Sequence, residues 1–352
     1  MGNHICGIQQ VGIGTVDLHR DWKWYRKAFA MDIRIFEDAA EAPLMTAYTG
    51  GEVQKRVAAL ALNMNGGGGF EIWQYTSRKA QPADFTFELG DLGFLAARMK
   101  TRNIQKAFEQ HKKIGVTALT SPVKNPAGDM HYYVSDNSGN WFDVVESSNS
   151  FSNDKGITGG VYGMVIGVSD IEKSLKFYSD LLGFDAVLSD TSGMASDLNG
   201  VPGSNHAMRR VILGQSNQGI GPFNPLLGIN QIELIQTTDK KGRKIFENRF
   251  WGDQGFIHLC FDVRNMSGLK EKAAKLNSPF TVDSANSFDM GKAAGRFAYV
   301  EDPDGALIEF VETHKFPIVE KWGWYMDLKK RKHDKSLPRW LLNCFKFNRV
   351  KN

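Results

Sequence analysis

A histidine and a glutamate on two strand-like stretches give the chain its most specific chemical signal. His258 lies within GFIHLCFDV, and Glu309 lies within YVEDPDGALIEFVE about fifty residues later. Both stretches are apolar and rich in aromatic or branched residues, which is typical of buried strands. An imidazole and a carboxylate brought together by a sheet are common ligands of divalent metal ions. The sequence therefore predicts a metal site that includes His258 and Glu309.

Strand geometry indicates which way these side chains point. Successive side chains alternate between the two faces of a strand, so His258, Cys260 and Asp262 are expected on one face and their apolar neighbours on the other. The apolar face has to cover the helices, which leaves His258 in a cleft. The same pattern places Glu309, between Ile308 and Phe310, on the cleft side of its own strand.

Bulk properties describe a globular chain with enough apolar residues for more than one core. The chain has 352 residues, of which 42% are hydrophobic, and it carries a net charge of +4. There is no apolar run of about 18 residues and no signal-peptide pattern at the start. The three cysteines are too scattered for a disulfide framework or a cysteine-based zinc site. We expect a cytoplasmic protein with no membrane-spanning segment.

The chain repeats itself. Gly90–Phe94 (GDLGF) and Gly252–Phe256 (GDQGF) match at four of five positions with an offset of 162 residues. Further matches at similar offsets divide the chain into two homologous domains, 1–150 and 157–314, joined by a polar, glycine-rich linker. Each half divides again into two segments with the order strand, helix and three strands. Asp17 and Asp170 are predicted N-caps of the first helix in each half. The pattern is an α+β fold of four βαβββ modules.

These motifs resemble the vicinal oxygen chelate superfamily of glyoxalases, bleomycin-resistance proteins and extradiol dioxygenases. The resemblance rests on VGIGTVDLHRDWKWYRKAFAMDI, IGVSDIEKSLKFYSDLLGFD and EDPDGALIEFVE, and it covers about residues 5 to 314. It implies that paired modules form barrel-like clefts and that metal ligands come from the first and last strands of each module. It does not select a reaction, because one scaffold supports several chemistries.

Carried over to this sequence, the resemblance implies two unequal ligand sets. In the second half it implies a metal site of Glu233, His258 and Glu309, with the active site between modules three and four. In the first half it gives a set without histidine, which we expect to be structural or degenerate. The positions concerned there are Gln10, Glu71 and Asp143, with Ala96 at the histidine position. Gly163 leaves a fourth position of the second half without a ligand, for which His206, water or substrate oxygens are candidates.

The resemblance and the ligand set together favour a metal-dependent lyase or isomerase. One divalent ion (Mn, Fe, Co, Ni, Mg or Zn) would chelate two adjacent oxygens of a small substrate and stabilise an enediolate or enolate. Glu233 is the first choice as general base, with Glu309 as the other catalytic carboxylate. An extradiol dioxygenase is an alternative, although its second histidine is replaced by Gly163. A ligand-sequestering protein of the bleomycin-resistance type and a structural protein with two degenerate clefts are further alternatives.

The segment 315–352 differs in charge from the rest of the chain. It has 11 Lys and Arg against three acidic residues, a balance of +8, and it is rich in aromatic residues. Such a segment could bind nucleic acid or an anionic membrane. We favour a clasp that packs its aromatic residues on the acidic body or on a second subunit. The expected partners are thus a small-molecule substrate and, at most, a second copy in a homodimer, with nucleic acid and membrane unlikely.

Overall fold

The computed structural model describes residues 4–217, 219–285, 288–289, 294–319, 323–328, 331 and 335–351. Module one contains β1 (Ile5–Thr15), α1 (Leu18–Phe29), β2 (Ile33–Glu41), β3 (Lys55–Leu62) and β4 (Gly69–Tyr75). Module two contains β5 (Gly93–Thr101), α2 (Ile104–Lys113), β6 (Thr117–Ala118), β7 (Val123–Lys124), β8 (Met130–Ser135) and β9 (Trp141–Glu146). Module three contains β10 (Thr158–Gly167), α3 (Ile171–Asp180), β11 (Ala186–Gly193), β12 (Met208–Gly214), the short α4 (Asn224–Leu227) and β13 (Gln231–Thr237). Module four contains β14 (Gly255–Val263), α5 (Met266–Lys275), β15 (Val282–Asp283), β16 (Phe288–Asp289), β17 (Ala294–Glu301) and β18 (Leu307–Val319). The C-terminal segment adds β19 (Trp324–Asp327) and α6 (Arg339–Asn343).

The first helix of every module begins after an Asp or Asn whose side chain accepts backbone N–H groups of the first turn. These residues are Asp17, Asn103, Asp170 and Asn265. A side-chain acceptor at this position satisfies a donor that has no partner within the helix. The predicted N-caps Asp17 and Asp170 are therefore confirmed.

The modules form two sheets, and each sheet takes one module from each half of the chain. Sheet A has the order β15-β17-β18-β14-β1-β4-β3-β2, and sheet B has the order β11-β12-β13-β10-β5-β9-β8-β6. Antiparallel pairing of β1 with β14 joins module one to module four, and pairing of β10 with β5 joins module three to module two. The prediction that modules three and four pair to form one cleft is therefore wrong. The limits of the two sequence domains stay a prediction.

The two sheets share one large hydrophobic core. Its buried residues come from all four modules, and Phe29 of α1 meets Phe142 of β9 with ring centroids 4.7 Å apart. Two smaller clusters lie elsewhere on the sheets, one with Trp73 and Tyr299 on sheet A and one with Tyr133 on sheet B. We call the concavities that these smaller clusters line cleft A and cleft B. The sequence prediction of an α+β fold with two clefts is confirmed.

The glycine run between β3 and β4 joins the two sheets. The backbone N–H of Gly67 donates to Leu226 and that of Gly68 donates to Val161 on β10. Gly67 has a φ of +108°, and a Cβ there would lie 2.7 Å from the carbonyl carbon of Gly160. Only glycine combines that backbone conformation with so close an approach. This run therefore serves as a structural contact between the halves.

Part of the C-terminal segment packs against module one. Leu341, Leu342 and Phe345 are buried in a cluster with Ile33 and Leu62. The guanidinium of Arg349 also pairs with Asp32 and Asp154, an anchor at the very end of the segment. Aliphatic side chains supply most of this packing, whereas the clasp interpretation expected aromatic ones, and the role of the segment stays a prediction.

Two aromatic side chains of the same segment, Trp340 and Phe347, are each 63% exposed. The basic residues around position 330 lie largely outside the described residues. In the described part of the chain, no helix has the length and apolar character needed to cross a membrane.

Candidate functional site

Four adjacent central strands of sheet A bring three ligand-type side chains together. The strands stand in the order β18-β14-β1-β4. They carry Glu309 on β18, His258 on β14 and Glu71 on β4. We call these three residues the carboxylate–histidine cluster. Their ligand atoms all lie within 4.8 Å of one another.

The cluster is centred on the imidazole of His258. Its Nε2 atom lies 3.2 Å from Oε2 of Glu71 and 3.3 Å from Oε2 of Glu309. The side chain of His258 is fully buried, and those of Glu71 and Glu309 are only 14% and 9% exposed. One imidazole nitrogen therefore faces two carboxylates in a site with little access to water.

Gly12 on β1 makes room for the imidazole. In the strand ladders Gly12 is the register partner of both His258 and Glu71. A Cβ at position 12 would lie 2.5 Å from two atoms of the His258 ring. Any side chain at this position would displace the imidazole, so the bare glycine backbone permits the cluster.

Three further side chains surround the cluster. Gln10 donates from Nε2 to Oε2 of Glu71 at 3.0 Å. The hydroxyl of Tyr299 lies 3.3 Å from Nδ1 of His258 and so constrains its ring. The indole of Trp251 lies nearly parallel to the imidazole, with centroids 6.2 Å apart and an interplanar angle of 21°. A second contact on the ring nitrogen that faces away from a metal fixes the tautomer and orientation of a histidine ligand.

The charges of the cluster act on one another. Burial lowers the pKa of His258, but the carboxylates of Glu309 and Glu71 outweigh it, and that pKa lies above its ordinary value. Burial raises the pKa of Glu309. For Glu71 the opposing effects of burial and of the His258 contact leave the pKa below its ordinary value. An added cation would relieve the repulsion between the two carboxylates.

The residues present fit a divalent metal ion. Nε2 of His258 and Oε2 of Glu309 are buried, and the contacts of Nε2 with the two carboxylates, at 3.2 and 3.3 Å, lack the geometry of a hydrogen bond. Buried polar atoms without partners are rare, and a bound ion is one group that would satisfy both of these atoms. A nitrogen and two carboxylate oxygens that lie within 4.8 Å of one another are a suitable donor set for such an ion.

Glu233 lies in cleft B, so its predicted place beside His258 and Glu309 is wrong. The carboxylate of Glu233 is fully buried and lies 2.7 Å from the guanidinium of Arg210. A second guanidinium, that of Arg98, lies 3.9 Å from its other oxygen. The repeat offset that relates Glu71 to Glu233 explains the error, because the two glutamates hold equivalent positions in different sheets.

Asp143 also belongs to cleft B and not to a site with Gln10 and Glu71. It accepts from Nε of Arg98 at 2.9 Å and from Nδ1 of His131 at 2.9 Å. Arg98 and His131 were not predicted as site residues, although a charged residue within the apolar strand GFLAARMKT was a usable signal. Of the residues assigned to the first half, the structure places only Gln10 and Glu71 at the cluster.

His206, one candidate for the missing fourth ligand, pairs with Asp239 instead. Its Nδ1 lies 3.1 Å from Oδ1 of that aspartate. His206 lies in the loop between β11 and β12, and Asp239 lies just after the end of β13. Gly163 lies on β10, beside Arg98 in register. Neither residue contributes to the carboxylate–histidine cluster.

Comparison with known proteins agrees with this architecture. The family description "Glyoxalase/Bleomycin resistance protein/Dioxygenase superfamily" matches residues 7–144 and 162–310. The chain belongs to this superfamily. Its members include glyoxalase I and dioxygenases, and most of them are enzymes. A search of curated protein sequences finds no match.

Two solved structures show the shared fold. Glyoxalase I from Zea mays matches with a TM-score of 0.54 at 15% identity, over 87% of this chain and 92% of that one. A putative dioxygenase from Bacillus subtilis subsp. subtilis str. 168 matches with a TM-score of 0.58 at 11% identity, over 88% of this chain and 86% of that one. The resemblance seen in the sequence motifs is thereby confirmed, while the reaction is left open.

Proposed function

We propose that this superfamily member is a metal-dependent lyase or isomerase whose active site is the carboxylate–histidine cluster of cleft A. The observation that carries the proposal is the convergence of Glu71, His258 and Glu309 on one buried point. The bound divalent ion would act as a Lewis acid on a substrate with two adjacent oxygens and stabilise the negative charge that develops on them. The ligands thus come from both halves of the chain.

Within this proposal Glu309 is the general base. Oε2 of Glu71 is already held by the amide of Gln10 at 3.0 Å, whereas Oε2 of Glu309 has no hydrogen bond among the described residues. The freer oxygen is better able to remove a proton from a substrate carbon and to return it. The role first assigned to Glu233 therefore passes to Glu309, with Glu71 as the fixed ligand.

Trp251 would position the substrate. Its side chain is only 8% exposed and forms one wall of cleft A beside His258. The indole Nε1 is buried and has no partner among the described residues. A buried donor without a partner, next to the ligand set, is suited to a substrate oxygen. The ring itself would exclude water from the reacting atoms.

The ligand set favours this reaction class over ring-cleaving dioxygenation. The iron oxygenases that use a facial triad bind their metal with two histidines and one carboxylate. Cleft A offers one histidine and two carboxylates, with Gln10 beside them. The donor set is therefore richer in oxygen, which suits Lewis-acid chemistry on an enediolate.

Metal analysis combined with a proton-exchange screen tests the proposal. Purified protein would be loaded with Mn²⁺, Co²⁺, Ni²⁺, Zn²⁺, Fe²⁺ or Mg²⁺ and assayed for exchange of the C–H proton of α-hydroxy ketones and 2-oxo acids. We expect bound metal and exchange in the native protein and loss of both in His258→Ala. Glu309→Gln should retain weak metal binding and lose exchange.

His206→Ala is the matched control, because it removes a histidine that lies outside the cluster. It should leave both measurements unchanged. Metal binding and turnover that persist in His258→Ala would refute the proposal. Ligand binding by metal-free protein, without any exchange, would instead identify a sequestering protein.

A further inference from the structure

Cleft B repeats the strand geometry of cleft A. Glu233 faces Ile212 in the ladder of sheet B, as Glu71 faces Leu60 in that of sheet A. Asp143 and Glu309 are likewise equivalent, since each faces a tyrosine on the neighbouring strand, Tyr133 or Tyr299. Both carboxylate positions of the carboxylate–histidine cluster are thus preserved in cleft B.

The two positions that hold His258 and Gly12 in cleft A carry different residues in cleft B. Ala96 faces Val165 across the β5–β10 pair, at the place where His258 faces Gly12 in cleft A. In cleft A the larger residue of the pair, His258, lies on β14, the strand equivalent to β5. In cleft B the strand β5 carries the small Ala96, and the larger Val165 lies on β10. Val165 carries a side chain at the position where Gly12 of cleft A has none and makes room for His258.

Arg98 belongs to a second pair of facing positions that is equivalent in the two clefts. It faces Gly163 across the β5–β10 pair, where cleft A has Cys260 facing Gln10. A Cβ on Gly163 would lie 2.4 Å from the carbonyl oxygen of Gln231 and 3.1 Å from Cδ of Arg98, so the glycine allows both the strand pairing and the long arginine side chain. Gly163 is the position at which the sequence pattern has no metal ligand, and Arg98 on the neighbouring strand β5 lies beside it.

The guanidinium of Arg98 contacts both preserved carboxylates. It lies 2.9 Å from Asp143 and 3.9 Å from Glu233, and all three side chains are almost completely buried. Next to them, Asp197 pairs with Arg210 at 2.7 Å and with His131 at 3.3 Å. The guanidiniums of Arg98 and Arg210 and the imidazole of His131 thus face three carboxylates in cleft B, so side chains of the protein itself compensate much of that negative charge.

We propose that Arg98 is the resident cation of cleft B, in the place that a metal ion would take between Asp143 and Glu233. The protein then binds one divalent ion per chain, at cleft A, and cleft B is a latent divalent-cation site that Arg98 keeps closed. The part concerning cleft A rests on the proposed function, whereas the part concerning Arg98 does not.

Removal of Arg98 exposes the latent site. Arg98→Met retains most of the apolar volume but removes the guanidinium that contacts both Asp143 and Glu233. Asp143 would then keep His131 as a partner and Glu233 would keep Arg210, but the positive charge shared by the two carboxylates would be lost. Loss of a partner from a buried ion pair is destabilising, and a divalent ion is the simplest group that can replace the lost charge. Binding of such an ion only to the folded state would in turn stabilise the fold.

Metal stoichiometry measured with Mn²⁺ alone tests the inference. By calorimetry and elemental analysis at pH 7, we expect one Mn²⁺ per native chain, none in His258→Ala, two in Arg98→Met and one in Arg98→Met/His258→Ala. The thermal midpoint of Arg98→Met/His258→Ala should rise on addition of Mn²⁺, and that of His258→Ala should not. Adding Asp143→Asn to Arg98→Met should remove the extra equivalent.

The outcomes separate the two proposals. Retention of one equivalent of Mn²⁺ by His258→Ala, and its loss when Asp143→Asn is added, would show that cleft B binds metal with Arg98 in place. That result would overturn the inference without any Arg98 variant. A folded Arg98→Met with no extra equivalent would overturn it as well. Failure of the native chain to bind Mn²⁺, with one equivalent gained by Arg98→Met, would refute the function proposed for cleft A and support the role of Arg98.

Discussion

Gly12 and His258 are direct register partners on β1 and β14, and the absence of a side chain on one makes room for the ring of the other. The contact joins residues from opposite halves of the chain. It also lies between the two carboxylates, since Gly12 is the register partner of Glu71 as well. The site therefore depends on a backbone position as much as on its ligands.

Gly12→Ala should abolish metal binding. The new methyl group would overlap the imidazole of His258, and inserting a methyl into a packed interior costs about 1–3 kcal/mol. We expect a lower thermal midpoint and loss of Mn²⁺ binding by calorimetry. The double variant Gly12→Ala/His258→Ala should recover stability relative to Gly12→Ala, because the clash is gone. Additive effects of the two substitutions would contradict this explanation.

Tyr299→Phe should weaken metal binding while leaving the fold intact. The hydroxyl of Tyr299 contacts Nδ1 of His258, and loss of such a partner commonly lowers metal affinity about 10–100-fold. The equivalent residue of cleft B provides the control. Tyr133 has a buried hydroxyl without a partner among the described residues, so Tyr133→Phe should leave Mn²⁺ affinity unchanged. Equal effects of the two substitutions would show that Tyr299 does not act through His258.

Local features of the fold could be predicted from the sequence because they depend on short-range pattern. Apolar alternation and N-cap residues indicated the strands and the helix starts, such as that at Asp17. They also indicated that His258 and Glu309 face a cleft. These properties arise within one strand or one helix, so a single stretch of sequence contains the necessary information.

The pairing of modules could not be predicted in the same way. Both β4 and β13 carry a glutamate at the same repeat position, Glu71 or Glu233, and each could have completed the cluster. The choice depends on which first strands pair across the chain, here β1 with β14. Long-range pairing between similar apolar strands leaves no local mark. The charged residues Arg98 and Arg210 on strands of sheet B were the available sign that Glu233 already had partners.

Asp262→Asn should change how stability depends on pH. Burial raises the pKa of Asp262 to about 8. In the unfolded chain this carboxyl ionises near pH 4, so its contribution to stability is complete below about pH 4 and is lost as the pH rises to about 8. We expect Asp262→Asn to be more stable than the native protein at pH 9, on the order of 2–4 kcal/mol, and to differ little at pH 4. Urea unfolding across this range measures the difference.

Asp283 serves as the control of opposite sign for that experiment. Hydrogen bonds from Arg296 lower the pKa of Asp283, so its contribution is present at neutral pH and is lost only in acid. Asp283→Asn should therefore reduce stability at pH 7 and have less effect near pH 2. A loss of stability for both variants at pH 9 would refute the assignment of Asp262 as a buried neutral acid.

Trp251→Phe should separate substrate positioning from metal binding. Phenylalanine keeps an aromatic wall beside His258 but removes the indole N–H, which has no partner among the described residues. Loss of one donor to a developing oxyanion typically lowers kcat about 10²–10³-fold. We expect that decrease in proton exchange, with Mn²⁺ affinity unchanged. Trp251→Leu removes the ring as well and should also raise KM, because the wall that excludes water is lost. Full exchange activity in Trp251→Phe would show that the indole N–H does not contact the reacting oxygens.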